Sequence, residues 1–256
     1  MHQLVSYIKF LLNSTNQHGV HSPFVYDFVT KCLYDKEKHP AYTELNNYRS
    51  VLRHSKIELE ITDLGEGSRV LGSSKRKVSH MIKTSSSSKQ ESELLFRVSK
   101  YFNFKTILEL GTSLGMGTYA LALANKNTEI ITIEGCANTS NFTKSQFKNL
   151  LTTNINFKIG AFSSEIQKLD ETHFDCVYFD GHHNKDATIQ YFNALLPKAH
   201  NDSVFIFDDI YWSKGMTEAW KYIKTHPDVM VTVDCFHLGF VFFRKEQVKE
   251  HFKIRI

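Results

Sequence analysis

The sequence predicts an α/β fold: a doubly wound, mostly parallel sheet of seven strands, finished by an antiparallel hairpin and preceded by a helical extension. Three observations predict it. From about residue 106 onward, short apolar runs alternate with helix-period segments five times. The first run, Ile107 to Leu110, carries Glu109 and leads into a loop with Gly111, Gly115 and Gly117; a small-residue helix follows, and the next run, Ile130 to Ile133, closes on Glu134. This is the strand, glycine loop, helix, strand, acid order of a nucleotide-type βαβ unit. Finally, Val229 to Cys235 and Leu238 to Phe243 are separated only by Phe236 and His237. That gap is too short for a crossover helix, so the two runs must pair antiparallel.

Taken in order, the first 60 residues read as helices. MHQLVSYIKFLL is amphipathic, is interrupted by Lys9 and lacks a small-residue cleavage site, so it reads as a helix rather than a signal peptide. Ser22-Pro23 is a helix start, a hydroxyl cap followed by proline at the first turn, with Phe24, Val25 and Phe28 as the apolar face. The segment from His18 to Phe24 joins two helices; a substrate-covering lid is the alternative. Ile57 to Arg69 contains Asp63-Leu64-Gly65-Glu66-Gly67, an acid-x-Gly-x-Gly pattern. Its context argues against a cofactor loop, because the residues before it alternate charged with apolar and those after it are basic and serine-rich.

Charge is local. The chain carries 31 basic and 27 acidic residues. Residues 65 to 90 hold six of the basic ones against Glu66 alone, which leaves 25 basic against 26 acidic elsewhere. A solvated loop accounts for this; contact with an anionic substrate, RNA or lipid headgroups is the alternative. The expected division is therefore residues 1–90, a helical extension with a basic flexible loop that could serve as a lid, and residues 91–256, the ligand-binding domain.

Ser88 and Glu91 form a capping box for the next helix, with Leu94, Leu95, Val98, Tyr101 and Phe102 on one face. After Glu134 come a helix around Asn141 to Leu151, strand Ile155 to Ile159 and a short helix around Ser164 to Leu169. Strand Phe174 to Phe179, a helix Lys185 to Leu196 and strand Val204 to Phe207 follow. A last helix is marked by Met216, Ala219, Trp220 and Ile223 at 3.6-residue spacing. No apolar run approaches the ~18 residues of a membrane span. The four cysteines, at 32, 136, 176 and 235, form no C-x-x-C pair, which favours a reduced, cytoplasmic setting and gives no zinc signature.

Ligands of open α/β sheets bind at the carboxyl ends of the strands. Gly115-x-Gly117-x-x-Ala120 satisfies the dinucleotide pattern and keeps an NAD-type site open. Glu109-x-Gly111 followed by Gly115, however, resembles motif I of class I S-adenosylmethionine (SAM)-dependent methyltransferases, whose Rossmann-like sheet also ends in an antiparallel hairpin. The resemblance implies that Glu109 and Gly111 lie beside the methionyl part of SAM and that Glu134 binds the ribose. It extends the cofactor set to Thr112, Ser113, Gly115, Gly117 and Gly135, with Ala161 and Phe162 as adenine neighbours.

A second cluster follows two later strands: Asp180-Gly181-His182-His183-Asn184-Lys185 and Asp208-Asp209-Ile210-Tyr211-Trp212. Three carboxylates gathered there repel one another unless a cation sits among them, and a divalent ion is the simplest answer. Without a metal, Asp208 would cap backbone N–H groups and Asp180 would touch the cofactor. These residues resemble the metal-dependent O-methyltransferases of the catechol and caffeoyl-CoA type and the sugar-modifying antibiotic type, over roughly residues 90 to 245. The resemblance implies Mg²⁺ on Asp180, Asp208 and Asp209. It makes His183 the catalytic base with Asp180 beside it, His182 and Lys185 the alternatives, and Asp180 and Trp212 further cofactor contacts. His183 stands where the catechol type has lysine, and Asp209 where it has asparagine. The absence of Pro-Pro and Pro-Cys argues against base-nitrogen and cytosine methylation.

The expected function is SAM-dependent methyl transfer to a hydroxyl oxygen of a small molecule. A homodimer is compatible with this and nothing points strongly to nucleic acid. An NAD-dependent oxidoreductase and a non-catalytic SAM-fold binding module are the alternatives.

Overall fold

Every apolar run singled out in the second part of the sequence forms a strand or part of one. The computed structural model describes residues 1–62, 74–148, 150, 154–170 and 173–256. The Asp63 to Gly67 pattern and Arg69 lie outside the described residues. The chain divides into two units, Met1–Tyr34 with Leu169–Ile256, and Asp35–Lys168.

The chain starts in the first unit with α1 (His2–Asn13) and α2 (Pro23–Phe28), which runs on as a π turn over Val29–Leu33. Ser22 caps α2 as expected, accepting the Val25 N–H, with Pro23 at the first position. Val25 and Phe28 are fully buried. Between α1 and α2, Asn16 caps a short 3₁₀ turn, Gln17–Gly19.

The second unit opens with α3 (Pro40–His54), β1 (Glu58–Ile61), β2 (Ser74–Lys77) and α4 (Val78–Thr84). β1 and β2 pair antiparallel with Glu58 opposite Lys77 and Glu60 opposite Lys75. Three of the basic residues of the 65–90 segment thus belong to a strand whose partner alternates acid with apolar, and opposite charges face each other across the pair. Next is α5 (Lys89–Phe102), whose capping box is complete: the Ser88 N–H donates to Glu91 Oε2 at 2.6 Å and the Glu91 N–H to Ser88 Oγ at 3.2 Å. Then β3 (Thr106–Leu110), α6 (Met116–Leu123), β4 (Glu129–Glu134), α7 (Ala137–Phe147), β5 (Asn154–Ile159) and α8 (Phe162–Gln167) alternate. β3, β4 and β5 pair in parallel, with Leu110 opposite Ile133 and Glu134 opposite Ile159.

The chain returns to the first unit with β6 (Phe174–Phe179), α9 (Lys185–Leu195), β7 (Ala199–Asp208), α10 (Lys214–Thr225), β8 (Val231–Asp234), β9 (Leu238–Phe242) and β10 (Glu250–Lys253). Its strand order is β10-β8-β9-β7-β6. β6 and β7 are parallel, and β9 runs antiparallel to both β7 and β8, as the two-residue gap requires.

The α/β class, the parallel majority and the antiparallel C-terminal hairpin are therefore as expected. Among the described residues the strands of this mostly parallel arrangement number eight rather than seven. The additional one is β10, parallel to β8. Its sequence, EHFK, buries only Phe252, so nothing in its local pattern distinguishes it from a polar tail. β7 also begins five residues before Val204, because Ala199 pairs with Phe174 ahead of the apolar run. Phe179 and Phe207, neighbours on β6 and β7, stack at 4.2 Å between ring centroids and are both buried. They anchor the strand ends that carry Asp180 and Asp208.

Candidate active site

The glycine loop of the second unit is held from beneath by polar groups. Glu109 is 1% exposed, and its Oε2 accepts hydrogen bonds from Thr118 Oγ1 at 2.5 Å and Thr132 Oγ1 at 2.6 Å. Thr132 is in turn 2.6 Å from Thr112 Oγ1. One carboxylate therefore ties β3, the loop, β4 and the first turn of α6 together. Sequence reasoning named Thr112 only as a cofactor contact and missed Thr118 and Thr132. Their only signal was a hydroxyl in place of a hydrocarbon at an inward position of an apolar run.

The loop itself turns on left-handed residues, Gly111 at φ 107°, Ser113 at φ 45° and Gly115 at φ 76°. Gly115 has a further reason to lack a side chain: a Cβ there would lie 2.5 Å from Thr143 Cγ2 and 2.6 Å from Phe147 Cζ. This glycine serves the close approach of α7 to the start of α6, so its place in a dinucleotide-like pattern has a packing cause. Gly117 lies buried in the first turn of α6.

Glu134, at the end of β4, accepts the Ser113 N–H on Oε2 at 2.8 Å and the Cys136 N–H on Oε1 at 2.9 Å. Burial pushes its pKa up, partly offset by these backbone N–H groups and that of Gly135. A carboxylate offers about four lone-pair sites. Glu134 therefore keeps capacity for a ribose hydroxyl and fits the cofactor expected there. Ala161 caps α8 and Phe162 opens it, buried against the same unit.

In the first unit, Asp180 follows β6 and Asp208 ends β7. Asp180, His183 and Asp208 each offer a ligand atom, and the three atoms lie within 4.8 Å of one another. Asp209 is not part of that group; His183 is. His183 Nε2 lies 3.9 Å from Asp180 Oδ1, and Tyr178 Oη donates to Asp180 Oδ2 at 3.1 Å. Burial pushes the Asp180 carboxyl up to about 6, against the lowering effects of His183 and of hydrogen bonds from Asp208 and Tyr178. Asp209 adds a further upward push. This carboxyl group is thus in a place that resists its charge, as a cation site without its cation would be. The two carboxylates suit a divalent ion such as Mg²⁺ or Mn²⁺, and the imidazole nitrogen beside them serves either as a further ligand or, left uncoordinated, as a proton acceptor.

The remaining candidates separate by their partners. His182 sits at φ 61° with Nδ1 2.9 Å from Tyr191 Oη and its ring stacked on that tyrosine, a structural placement. Lys185 Nζ pairs with Glu218 at 2.8 Å. Asn184 caps α9, accepting the N–H groups of Asp186 and Ala187. Asp209 holds φ 52° and its carbonyl accepts the Trp212 N–H at 2.8 Å. Trp212 is 55% exposed, with its ring 6.4 Å from that of His183.

Fold and motif together define the class: the resemblance to class I SAM-dependent methyltransferases holds. A family described as a methyltransferase domain matches residues 108–210, from β3 through both acid clusters. No curated protein matches the chain. Among solved structures, the SAH-bound Podospora anserina methyltransferase PaMTH1 is 12% identical, with 88% of this chain and 97% of that one covered at a TM-score of 0.60. TomG from Streptomyces achromogenes, an O-methyltransferase of tomaymycin synthesis solved with SAM, is 15% identical over 90% and 99% at 0.58. The O-methyltransferase from Bacillus cereus in complex with SAH is 15% identical over 83% and 98% at 0.56. The match to a methyltransferase domain thus spans residues 108–210, and at these identities the solved structures speak for the fold alone.

Proposed function

We propose that this chain transfers the methyl group of SAM to a hydroxyl oxygen of a small molecule, with a divalent ion assisting. The observation that carries the proposal is the convergence of Asp180, Asp208 and His183 after two neighbouring parallel strands, with the Asp180 carboxyl held near 6. Cofactor binding falls to Glu109, Gly111, Thr112, Ser113, Gly115, Gly117, Glu134, Gly135, Ala161 and Phe162, with Asp180 and Trp212. SAM supplies an electrophilic methyl group; a divalent ion at Asp180 and Asp208, with Asp209 beside them, supplies positive charge that favours ionisation of a hydroxyl. His183 takes the hydroxyl proton on Nε2, and Asp180 stabilises the imidazolium that results. Tyr178 and the buried phenylalanines beneath orient Asp180. Acceptors include phenolic and sugar hydroxyls, the classes implied by the resemblance to the catechol and sugar-modifying O-methyltransferases. The four buried free thiols suit a cytoplasmic setting, and among the described residues no helix is long and apolar enough to cross a membrane.

Thermal unfolding with SAH and with NAD⁺ separates the cofactor classes. Ligand at 100 times its dissociation constant adds about 2.7 kcal/mol, a rise of roughly 5–10 °C for a chain of this size. A rise with NAD⁺ alone overturns the proposal. SAH release is then measured on a panel of phenols and sugars with Mg²⁺, Mn²⁺ or chelator. His183→Ala is expected to cut turnover at least about 100-fold with SAH affinity retained; near-normal turnover removes His183 from the reaction.

A further inference from the structure

The N-terminal helix turns its apolar face away from the protein. In α1, Ser6 and Phe10 are the buried residues, and Tyr7 and Phe10 pack on Phe236 at 4.9 and 5.5 Å between ring centroids. His2 adds a contact to Thr217 Oγ1 at 3.0 Å. At 3.6 residues per turn, Leu4, Val5, Ile8, Leu11 and Leu12 fall on the side opposite Ser6 and Phe10, within an arc of roughly 120°. All five are exposed, Leu4 at 63%, Ile8 at 51% and Leu12 at 80%. A surface helix of a monomer ordinarily shows the reverse arrangement.

From these residues we infer that the outer face of α1 is the two-fold contact between two copies of this chain. The area supports a protein partner. The five side chains present on the order of 500 Å² of contiguous apolar surface, within the ~300–600 Å² of a monomer's largest and often functional patch and more than half of the ~800 Å² per partner of a standard interface. Charge supports a second copy. The face carries no charged residue, so turning it on itself brings no like charges together, as an isologous contact requires. The 4-8-11 and 5-8-12 spacing is that of a helix seam. A membrane surface fits less well: Lys9 is the helix's one lysine or arginine, well short of the basic face that holds interfacial helices on anionic lipid. The contact would also brace the site. Phe236 stacks on Tyr211 at 5.0 Å between centroids, two residues beyond Asp209.

The test is sedimentation equilibrium of the full chain at about 50 µM beside Leu4→Glu/Ile8→Glu, with far-UV circular dichroism and SAH binding as folding controls. Both positions are exposed and glutamate is a good helix former, so the variant is expected to fold and to be monomeric while the parent is dimeric. A monomeric parent, or a variant that stays dimeric, overturns the inference. A parent that is monomeric but co-sediments with phosphatidylglycerol vesicles, losing this in the variant, assigns the face to membrane and also overturns it. An independent measurement uses single cysteines at Leu4, Ile8 or Leu12, since the four native cysteines are buried. Mild oxidation is expected to give a covalent dimer for at least one of them and none for Lys9→Cys. Absence of any cross-link overturns the inference without relying on a disrupted variant.

Discussion

The glycine loop after β3 and the acid loops after β6 and β7 are built on opposite principles. In the glycine loop local partners answer most of the polar groups: Glu109 Oε2 is met by two threonine hydroxyls, Glu134 by backbone N–H groups that partly offset its burial, and the left-handed turns mostly by glycine. In the acid loops the left-handed residues are His182 and Asp209, and a carboxyl group is held where its charge is disfavoured. Strain and unmet charge persist only where surrounding structure enforces them, and they concentrate at working sites. The first region is a cradle built for stability; the second holds a cost that, under the proposed function, a bound ion or substrate would relieve.

That contrast can be broken by substitution. The largest effect is expected for Asp208→Ala, about 1000-fold in turnover with SAH affinity unchanged, measured as initial rates over a metal titration. Equal loss of SAH affinity would move Asp208 to the cradle side. Gly115→Ala should act in the opposite way, through stability. Its Cβ meets Thr143 and Phe147 and its φ is 76°, so a loss of about 3 kcal/mol is expected in denaturant melts. A neutral outcome would show that α7 yields easily.

Asp180→Asn sharpens the comparison by sign. The folded-state pKa of Asp180, about 6, lies above its ordinary value of 3.8. The folded protein therefore keeps a proton that the unfolded chain has released, and stability falls as pH rises from about 4 through 6. Removing the ionisable group should make the metal-free protein more stable at pH 7.5, by on the order of 2 kcal/mol, with the gain vanishing near pH 4. Destabilisation at both pH values would mean that Asp180 is a structural anion. The smallest effect is expected for Ser88→Ala, about 1 kcal/mol in the melting transition with no change in turnover, because it removes only the cap of α5.

Much of the fold was legible because its signals are local. The capping box of Ser88 and Glu91, the Ser22-Pro23 start and the two-residue hairpin gap each place backbone groups within a few residues of one another. β10 was illegible: EHFK becomes a strand only through the β8 edge it pairs with. The acid cluster was legible in outline, since Asp180 and Asp208 end apolar runs. Its full membership was less so, because the resemblance placed Asp209 there as a metal ligand and His183 only as a base. The backbone at φ 52° belongs to Asp209, while His183 reaches the group from the other loop.

By itself the sequence determined the alternation of strand and helix, the glycine loop, the acid at the end of β4 and the carboxylates at the ends of β6 and β7. Periodicity, caps and turn residues act over a few residues, so a linear string records them. Tertiary structure alone decided which of those polar groups are answered and which are left in tension. It gave Glu109 to Thr118 and Thr132, gave His182 to Tyr191, set His183 beside Asp180 and Asp208, and turned the apolar side of α1 outward. Those outcomes depend on desolvation and on contacts between residues far apart in the chain, and such energies exist only once the chain is folded.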